Sequence, residues 1–404
     1  MTNCFFFIWY FFYGDTMKTK FLIIIFFLCS IFLIFTSFDE KEVVLENTKE
    51  KRGVFISYIE LSKYLKGKSE EDGIGEIRRI VSNIEELGFT MILLQVRSFS
   101  DAIYPSDIFP WSATVSEMEG VSPGYDILKS FLDICNEEKI ELYAWINPYR
   151  IRGDEDSSDI SEDNPAYSYL NTNVVEVNNG IFYNPASKEA REIIVDGVEE
   201  LVQNYSVDGV IFDDYFYPND TIDLEEYEEY KKTNSDVSIE EFRFYQVNEL
   251  IQDVYQVCHQ NNTLFGVSPD GNIENNYQKH YADVKTWGSK TEYVDFLMPQ
   301  IYYGFYNETK AFVSVLNDWE NLATKVELLP VLAFYKVGAV DNFAKSGSTE
   351  WMENDDIIMR EVLLTRNLKQ YQGFSLFRYD YLFNSELRTS TTMAELKNMK
   401  KILK

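Results

Sequence analysis

The chain has 404 residues, is 45% hydrophobic and 16% aromatic, and carries a formal net charge of −29. That apolar content excludes a disordered chain and supplies a large core. The negative charge excludes an electrostatic nucleic-acid binder and favours neutral or cationic partners.

In chain order, Lys18 and Lys20 precede the apolar run FLIIIFFLCSIFLIF. Residues 1–38 are therefore expected to be a signal peptide or an N-terminal membrane anchor, with Met17 as an alternative start. Export to the cell surface or beyond follows, as does membrane attachment if the segment is retained. Residues 39–50 (DEKEVVLENTKE) form a charged linker, and residues 51–404 a single barrel domain. Cys4 and Cys29 lie in the leader, so Cys135 and Cys258 are expected as free buried thiols.

From residue 53 onward, short apolar runs alternate with helix-like runs. Strands are predicted at 53–58, 90–97, 140–147, 207–213, 263–268, 293–302, 327–334 and 373–378. Helices are predicted near 74–87, 125–138, 188–204, 239–259, 278–288, 309–323, 355–367 and 391–402. The strands show little alternation, as parallel strands covered by helices do. Eight such repeats predict an α/β fold of the TIM (β/α)8 type. An acidic insertion spans 150–187, and LEEYEEYKK predicts a short surface helix. A doubly wound sheet is the alternative, but no G-x-G-x-x-G follows the first strand.

Barrels of this kind work at the C-terminal ends of their strands. Polar and aromatic residues collect there: Gln95 and Arg97, with Asp101 beyond; Trp145, Asn147, Tyr149 and Arg150; Asp213, Asp214, Tyr215 and Tyr217; Ser268 and Asp270; Gln300, Tyr302 and Tyr303; and Arg378. Asp213 and Asp214 are the candidate catalytic residues, and the others are candidate substrate contacts. Adjacent strand residues point to opposite faces, so the two aspartates are not expected to form a complete acid/base pair. The phase groups Ile211 with Asp213 and Phe212 with Asp214, and leaves open which set faces inward. A second carboxyl group would come from Asp270, Asp101 or Asp380, or an acetamido group of the substrate would replace it. With His259 and His280 as the only histidines, no metal site and no cofactor are expected.

Several ordered motifs resemble the glycosyl-hydrolase-like family 10, an export-associated bacterial family. They are Arg52-Gly53-Val54-Phe55, Gln95-Val96-Arg97, Asp101 through Ser106, Pro110-Trp111-Ser112, Pro123-Gly124-Tyr125-Asp126, Ala144 through Arg150, Asn184-Pro185-Ala186, Tyr205 through Pro218, and Met298 through Tyr302. The resemblance covers residues 51–380 and implies a barrel glycosidase acting on bacterial wall glycan, in one branch on strands stripped of peptide. Chitinase-like barrels carry a glutamate two positions after the last aspartate of a similar motif, where this chain has Tyr215. Asp270 also departs from the family, whose members tend to have an apolar or aromatic residue there.

The leading expectation is hydrolysis of O-glycosidic bonds in a cell-wall or other amino-sugar polysaccharide. The alternatives are a non-hydrolytic extracellular glycan-binding protein on a barrel scaffold, or a carbohydrate deacetylase or lyase. The partner is a polysaccharide or peptidoglycan glycan, without nucleic acid, and the oligomeric state is unspecified.

Overall fold

The computed structural model describes residues 50–153, 160–169, 174–177, 180–213 and 216–403. Eight parallel strands close into a barrel: β1 Lys51–Ile56, β2 Met91–Arg97, β3 Glu141–Ile146, β4 Gly209–Phe212, β5 Leu264–Val267, β6, β7 and β8 Gly373–Leu376. β6 is split into Phe296–Leu297 and Gln300–Ile301, and β7 into Glu327–Leu328 and Val331–Leu332. Pro299 and Pro330 sit at the splits, where a residue without an N–H breaks the hydrogen-bond ladder. Pairing runs from β1 through β5, on through β6 and β7, and back from β8 to β1, all in parallel. The predicted fold class is thus observed.

The main outer helices are α1 Glu70–Glu86, α2 Ile127–Glu138, α3 Lys188–Asn204, α4 Ile239–Gln260, α5 Val284–Ser289, α6 Phe312–Leu322, α7 Ile357–Thr365 and α8 Ser390–Ile402. Their starts follow local chemistry. Ser69, Asp126, Ser187 and Ser238 each accept a backbone N–H of the first turn of α1, α2, α3 and α4, satisfying donors that the helix leaves unpaired.

Side chains of alternating strand positions fill the barrel. Phe55, Met91, Leu93, Tyr143, Trp145, Ile211, Phe296, Met298, Leu329 and Val331 form this interior cluster. Large and small residues face each other across neighbouring strands. A Cβ on Gly209 would meet the Tyr143 ring at 2.4 Å, and one on Gly266 the Phe296 ring at 2.1 Å. The barrel is therefore a packed core.

Four features differ from the expected elements. Helix Tyr58–Leu65 follows β1, capped reciprocally by Ser57 and Glu60. The insertion holds a three-stranded antiparallel sheet of Arg150–Arg152, Gly180–Tyr183 and Val174–Val177. The fifth helical segment is two short helices, Ile273–Gln278 and α5, each with its own cap in Asn272 and Asp283. Glu50, assigned above to the linker, is bound into the barrel by Arg366 at 2.7 Å and Tyr371 at 2.6 Å. The surface helix predicted around LEEYEEYKK is found at Leu224–Lys231. Cys135 and Cys258 are buried free thiols.

The expected signal or anchor, and nearly all of the linker, lie outside the described residues. Among the described residues, no helix is long and apolar enough to cross a membrane.

Candidate active site

The site is built from the last inward residue of successive strands. On β2, β3 and β4, the interior residues Leu93, Trp145 and Ile211 are followed two positions later by Gln95, Asn147 and Asp213. A strand repeats its facing every second residue, so these three polar side chains cap the packed interior. The phase left open by the sequence is thereby decided: Asp213 shares the inward face of Ile211. Its Oδ2 accepts hydrogen bonds from Asn147 Nδ2 at 2.6 Å and Trp145 Nε1 at 3.3 Å. Asn147 Oδ1 accepts from Gln95 Nε2 at 2.6 Å, and Gln95 Oε1 accepts from the Tyr58 backbone N–H at 2.8 Å. Asp213 is 3% exposed, and Gln95 and Asn147 are each 1% exposed. Asp214 and Tyr215 lie outside the described residues.

Aromatic rings floor this end of the barrel. Trp145 packs edge-on against Phe55 at 5.3 Å and Phe377 at 6.3 Å. Half-buried Tyr302 lies 5.9 Å from Phe377 and edge-on to Tyr335 at 5.6 Å. Gln300 is half-buried, and its Nε2 donates to the Ser268 carbonyl at 3.0 Å. Ser268 is buried, and its hydroxyl donates to the Met298 carbonyl at 2.9 Å. Tyr303 is also half-buried, and burial raises its phenol above the ordinary range. Asp213, Trp145, Gln300 and Tyr302 thus combine a carboxylate, an amide and stacking faces at one end of the barrel. That combination suits a polyhydroxylated ring.

Other predicted contacts are placed elsewhere. Arg97 is 2% exposed and lies over the Phe109 ring at 3.8 Å. A bulge between Gln95 and Arg97 shifts the register, so Arg97 pairs with Ile146 and leaves the face of Gln95. It points to α3 instead, where its Nη1 would lie 2.5 Å from a Cβ on Gly197. Tyr149 is fully buried on the same outer side, where Arg191 of α3 acts on its phenol. Tyr217 is buried edge-on against Tyr281 at 5.0 Å. Arg378 pairs with the fully buried Glu60 and turns toward helix Tyr58–Leu65. Arg97, Tyr149, Tyr217 and Arg378, expected as substrate contacts, are thus placed in packing against the surrounding protein. Gln95 and Asn147, also expected as substrate contacts, stand beside Asp213 with their amides engaged in protein hydrogen bonds. Half-buried Arg150 begins the small antiparallel sheet, its guanidinium 6.0 Å from the Phe99 ring.

The candidates for a second carboxyl group also have local partners. Asp270 accepts from Asn272 N at 2.7 Å and from Asn275 Nδ2 at 2.8 Å, which shapes its own loop. Asp380 binds Tyr64 at 2.6 Å and Lys63 at 2.9 Å. Asp101 is buried beside Ser112, and burial pushes its carboxyl up to about 7. His259 pairs with Asp295 at 3.0 Å, and burial lowers His280. Among the described residues, no group of three or more His, Cys, Asp or Glu is arranged to hold a metal ion.

Sequence reading missed Tyr58, Glu60 and Phe377. The spacing Ser57-x-x-Glu60 is a capping signal and was readable. The Tyr58 backbone donor and the inward Phe377 ring leave no compositional trace.

A family model described as glycosyl hydrolase-like 10 matches residues 50–352. The chain is 30% identical over 334 residues to the glycosyl hydrolase YngK of Bacillus subtilis, covering 76% of this chain and 63% of that protein. It thus spans less than two thirds of the length of that relative. It is 29% identical to the glycosyl hydrolase DigH of Escherichia coli K12, covering 75% of this chain and 74% of that protein. Among solved structures, the PgaB (BpsB) glycoside hydrolase domain of Bordetella bronchiseptica superimposes with a TM-score of 0.56 at 11% identity, covering 87% of this chain and 98% of that one. The catalytic domain of a Paenibacillus polymyxa beta-amylase gives 0.53 at 9% identity, covering 88% and 98%. At such identities these two likenesses support the barrel fold only. The family model and the curated relatives agree with the motif resemblance, and the chain belongs to the glycosyl hydrolase-like 10 family.

Proposed function

We propose that the chain hydrolyses O-glycosidic bonds in an amino-sugar polymer, with bacterial wall glycan as the preferred substrate, outside the cytoplasm. The glycosidase class rests on the family. The observation that carries the site is Asp213, an inward carboxylate at the end of β4 held by Asn147 and Trp145. Export is supported by the lysines and apolar run before the barrel. Wall glycan is supported by the motif resemblance.

In this reading, Asp213 is the acid and base of the reaction. Its Oδ2 already accepts two N–H donors, so a proton on this carboxyl resides on Oδ1. That proton passes to the glycosidic oxygen as the bond to the anomeric carbon breaks. Water supplies the hydroxyl that forms the new bond at that carbon, and its remaining proton returns to the carboxylate. The partner that assists at the opposite ring face is a second carboxyl group or the substrate's acetamido group. Half-buried Tyr302 offers a stacking face, and Gln300 an amide for a hydroxyl or acetamido group.

The test is to incubate Asp213→Asn and Asp214→Asn separately with peptide-stripped peptidoglycan glycan and to weigh the products by mass spectrometry. Asp213→Asn is expected to lose about 10²–10⁴-fold in kcat. Undiminished cleavage by both variants would remove this assignment. Tight glycan binding without any cleavage by the unaltered chain would favour the binding-protein alternative.

A further inference from the structure

The polar chain behind Asp213 has a fixed direction. The Tyr58 backbone N–H can only donate, so the Gln95 side chain must present its oxygen to it, at 2.8 Å. Gln95 then presents its NH2 to Asn147, at 2.6 Å, and the Asn147 oxygen is committed to receiving it. The Asn147 NH2 is left facing Asp213, at 2.6 Å. The other end gives the same answer, because an ionised carboxylate only accepts. The helix that begins at Tyr58 is thereby linked through two amides to the carboxylate assigned to catalysis.

From this geometry we infer that Gln95 is a positioning residue. It sets the orientation of the Asn147 amide, and so keeps an N–H donor, rather than a carbonyl oxygen, against Asp213. This inference rests on the functional reading above. It replaces the expected contact of Gln95 and Asn147 with sugar by a role one and two residues removed from it. Both amides are committed to protein hydrogen bonds, which fits a support.

Gln95→Glu gives the discriminating test, because it keeps the shape and changes the polarity. An ionised glutamate accepts from Tyr58 and also demands a donor from Asn147. The Asn147 amide must then turn its oxygen toward Asp213 Oδ2, which favours the protonated carboxyl and draws its proton onto Oδ2, away from the glycosidic oxygen. In acid the introduced carboxyl is protonated, can donate again, and restores the original direction. At pH 7.5 the variant is expected to lose about 30–100-fold in kcat, with KM changed less than about twofold. At pH 5 its kcat should return to within about threefold of the unaltered chain at the same pH. Gln95→Leu, which donates and accepts nothing, should lose about tenfold without recovery in acid. Equal losses for Gln95→Glu at both pH values, or none at either, would overturn the inference. If Gln95→Glu does not fold, Gln95→Leu decides: a fall in kcat at constant KM supports the inference, and unchanged kcat overturns it.

A second readout separates this inference from the functional reading. In 13C-aspartate-labelled chain, the Asp213 carboxyl signal is assigned by its loss in Asp213→Asn. In Gln95→Glu, with its own carboxylate ionised, Asp213 should bind its proton about tenfold more tightly than in the unaltered chain. This needs no substrate. A chain that hydrolyses no glycan but shows this change keeps the relay and loses the glycosidase reading. A chain that hydrolyses glycan but shows no change loses the relay alone.

Discussion

Carboxylates are buried in two very different ways at the barrel mouth and at the seam between α7 and α8. At the mouth, Asp213 receives N–H donors from Asn147 and Trp145. At the seam, Glu361 is fully buried and neither carboxyl oxygen has a hydrogen-bond partner among the described residues. Glu395 next to it is equally buried and accepts from the Met359 N–H at 2.9 Å through one oxygen. Burial raises the Glu361 carboxyl well above the ordinary range, helped by Glu395 and Glu350, and burial pushes Glu395 up to about 7. Burial outweighs the few donors present at the seam and shifts both carboxyls toward their neutral form. Directed donors at a strand end are what prepare a carboxylate for work.

This contrast can be broken experimentally, beginning with the largest expected effect. Asn147→Leu removes the 2.6 Å donor to Asp213 and should lower kcat about 10²-fold, with folding checked by circular dichroism. The same substitution at a residue remote from the mouth, such as Met393, should leave kcat unchanged. Next, Asp223→Ala strands the buried Arg243 guanidinium, which now makes two 2.8 Å bonds to Asp223 and one of 2.7 Å to Tyr281. About 3 kcal/mol of stability should be lost in a urea titration, since the pair anchors the loop after β4.

At the seam, the prediction concerns pH. A carboxyl whose folded pKa is raised costs stability once the unfolded chain ionises and the folded chain does not. Stability of the unaltered chain therefore falls as pH rises from the ordinary glutamate value of about 4.3 toward about 7, where Glu395 ionises in the folded state. Glu361→Leu should raise Tm by a few degrees (~1 kcal/mol) at pH 8, and by less at pH 4.5. A gain equal at both pH values would show that the carboxyl contributes no charge term.

The smallest effect is expected at Glu50. Burial alone would raise its carboxyl, but hydrogen bonds from Arg366, Tyr371 and Arg52 lower it to about 2. The sign is opposite to that at the seam. Its contribution is present above about 4.3 and is lost as pH falls toward about 2. Glu50→Gln should therefore lower Tm at pH 7 and converge with the unaltered chain near pH 2.

Much of the architecture was legible because it depends on local pattern. The apolar runs of β1 to β8 and the periodicity of α3 and α4 carry their own signal, whereas the breaks of β6 and β7 at Pro299 and Pro330 interrupt runs expected to be continuous. The region of the site was legible for a similar reason: acidic and amide residues stand at the ends of very apolar strands. What could not be read is geometry that depends on neighbours. Period-two counting places Arg97 beside Gln95, and one bulge reverses it. Gln95 and Asn147 have the composition of sugar-binding residues, yet their partners are each other. The inward facing of Asp213 was not legible, because it follows only from the placement of Ile211 in the interior cluster.

The most direct test of the central claim is a crystal structure of Asp213→Asn with an uncleaved amino-sugar oligosaccharide bound. The account predicts the glycan across the strand ends, with the side chain at position 213 about 3 Å from the glycosidic oxygen. Glycan bound elsewhere, or with a different carboxyl group at that oxygen and position 213 out of reach, would contradict it.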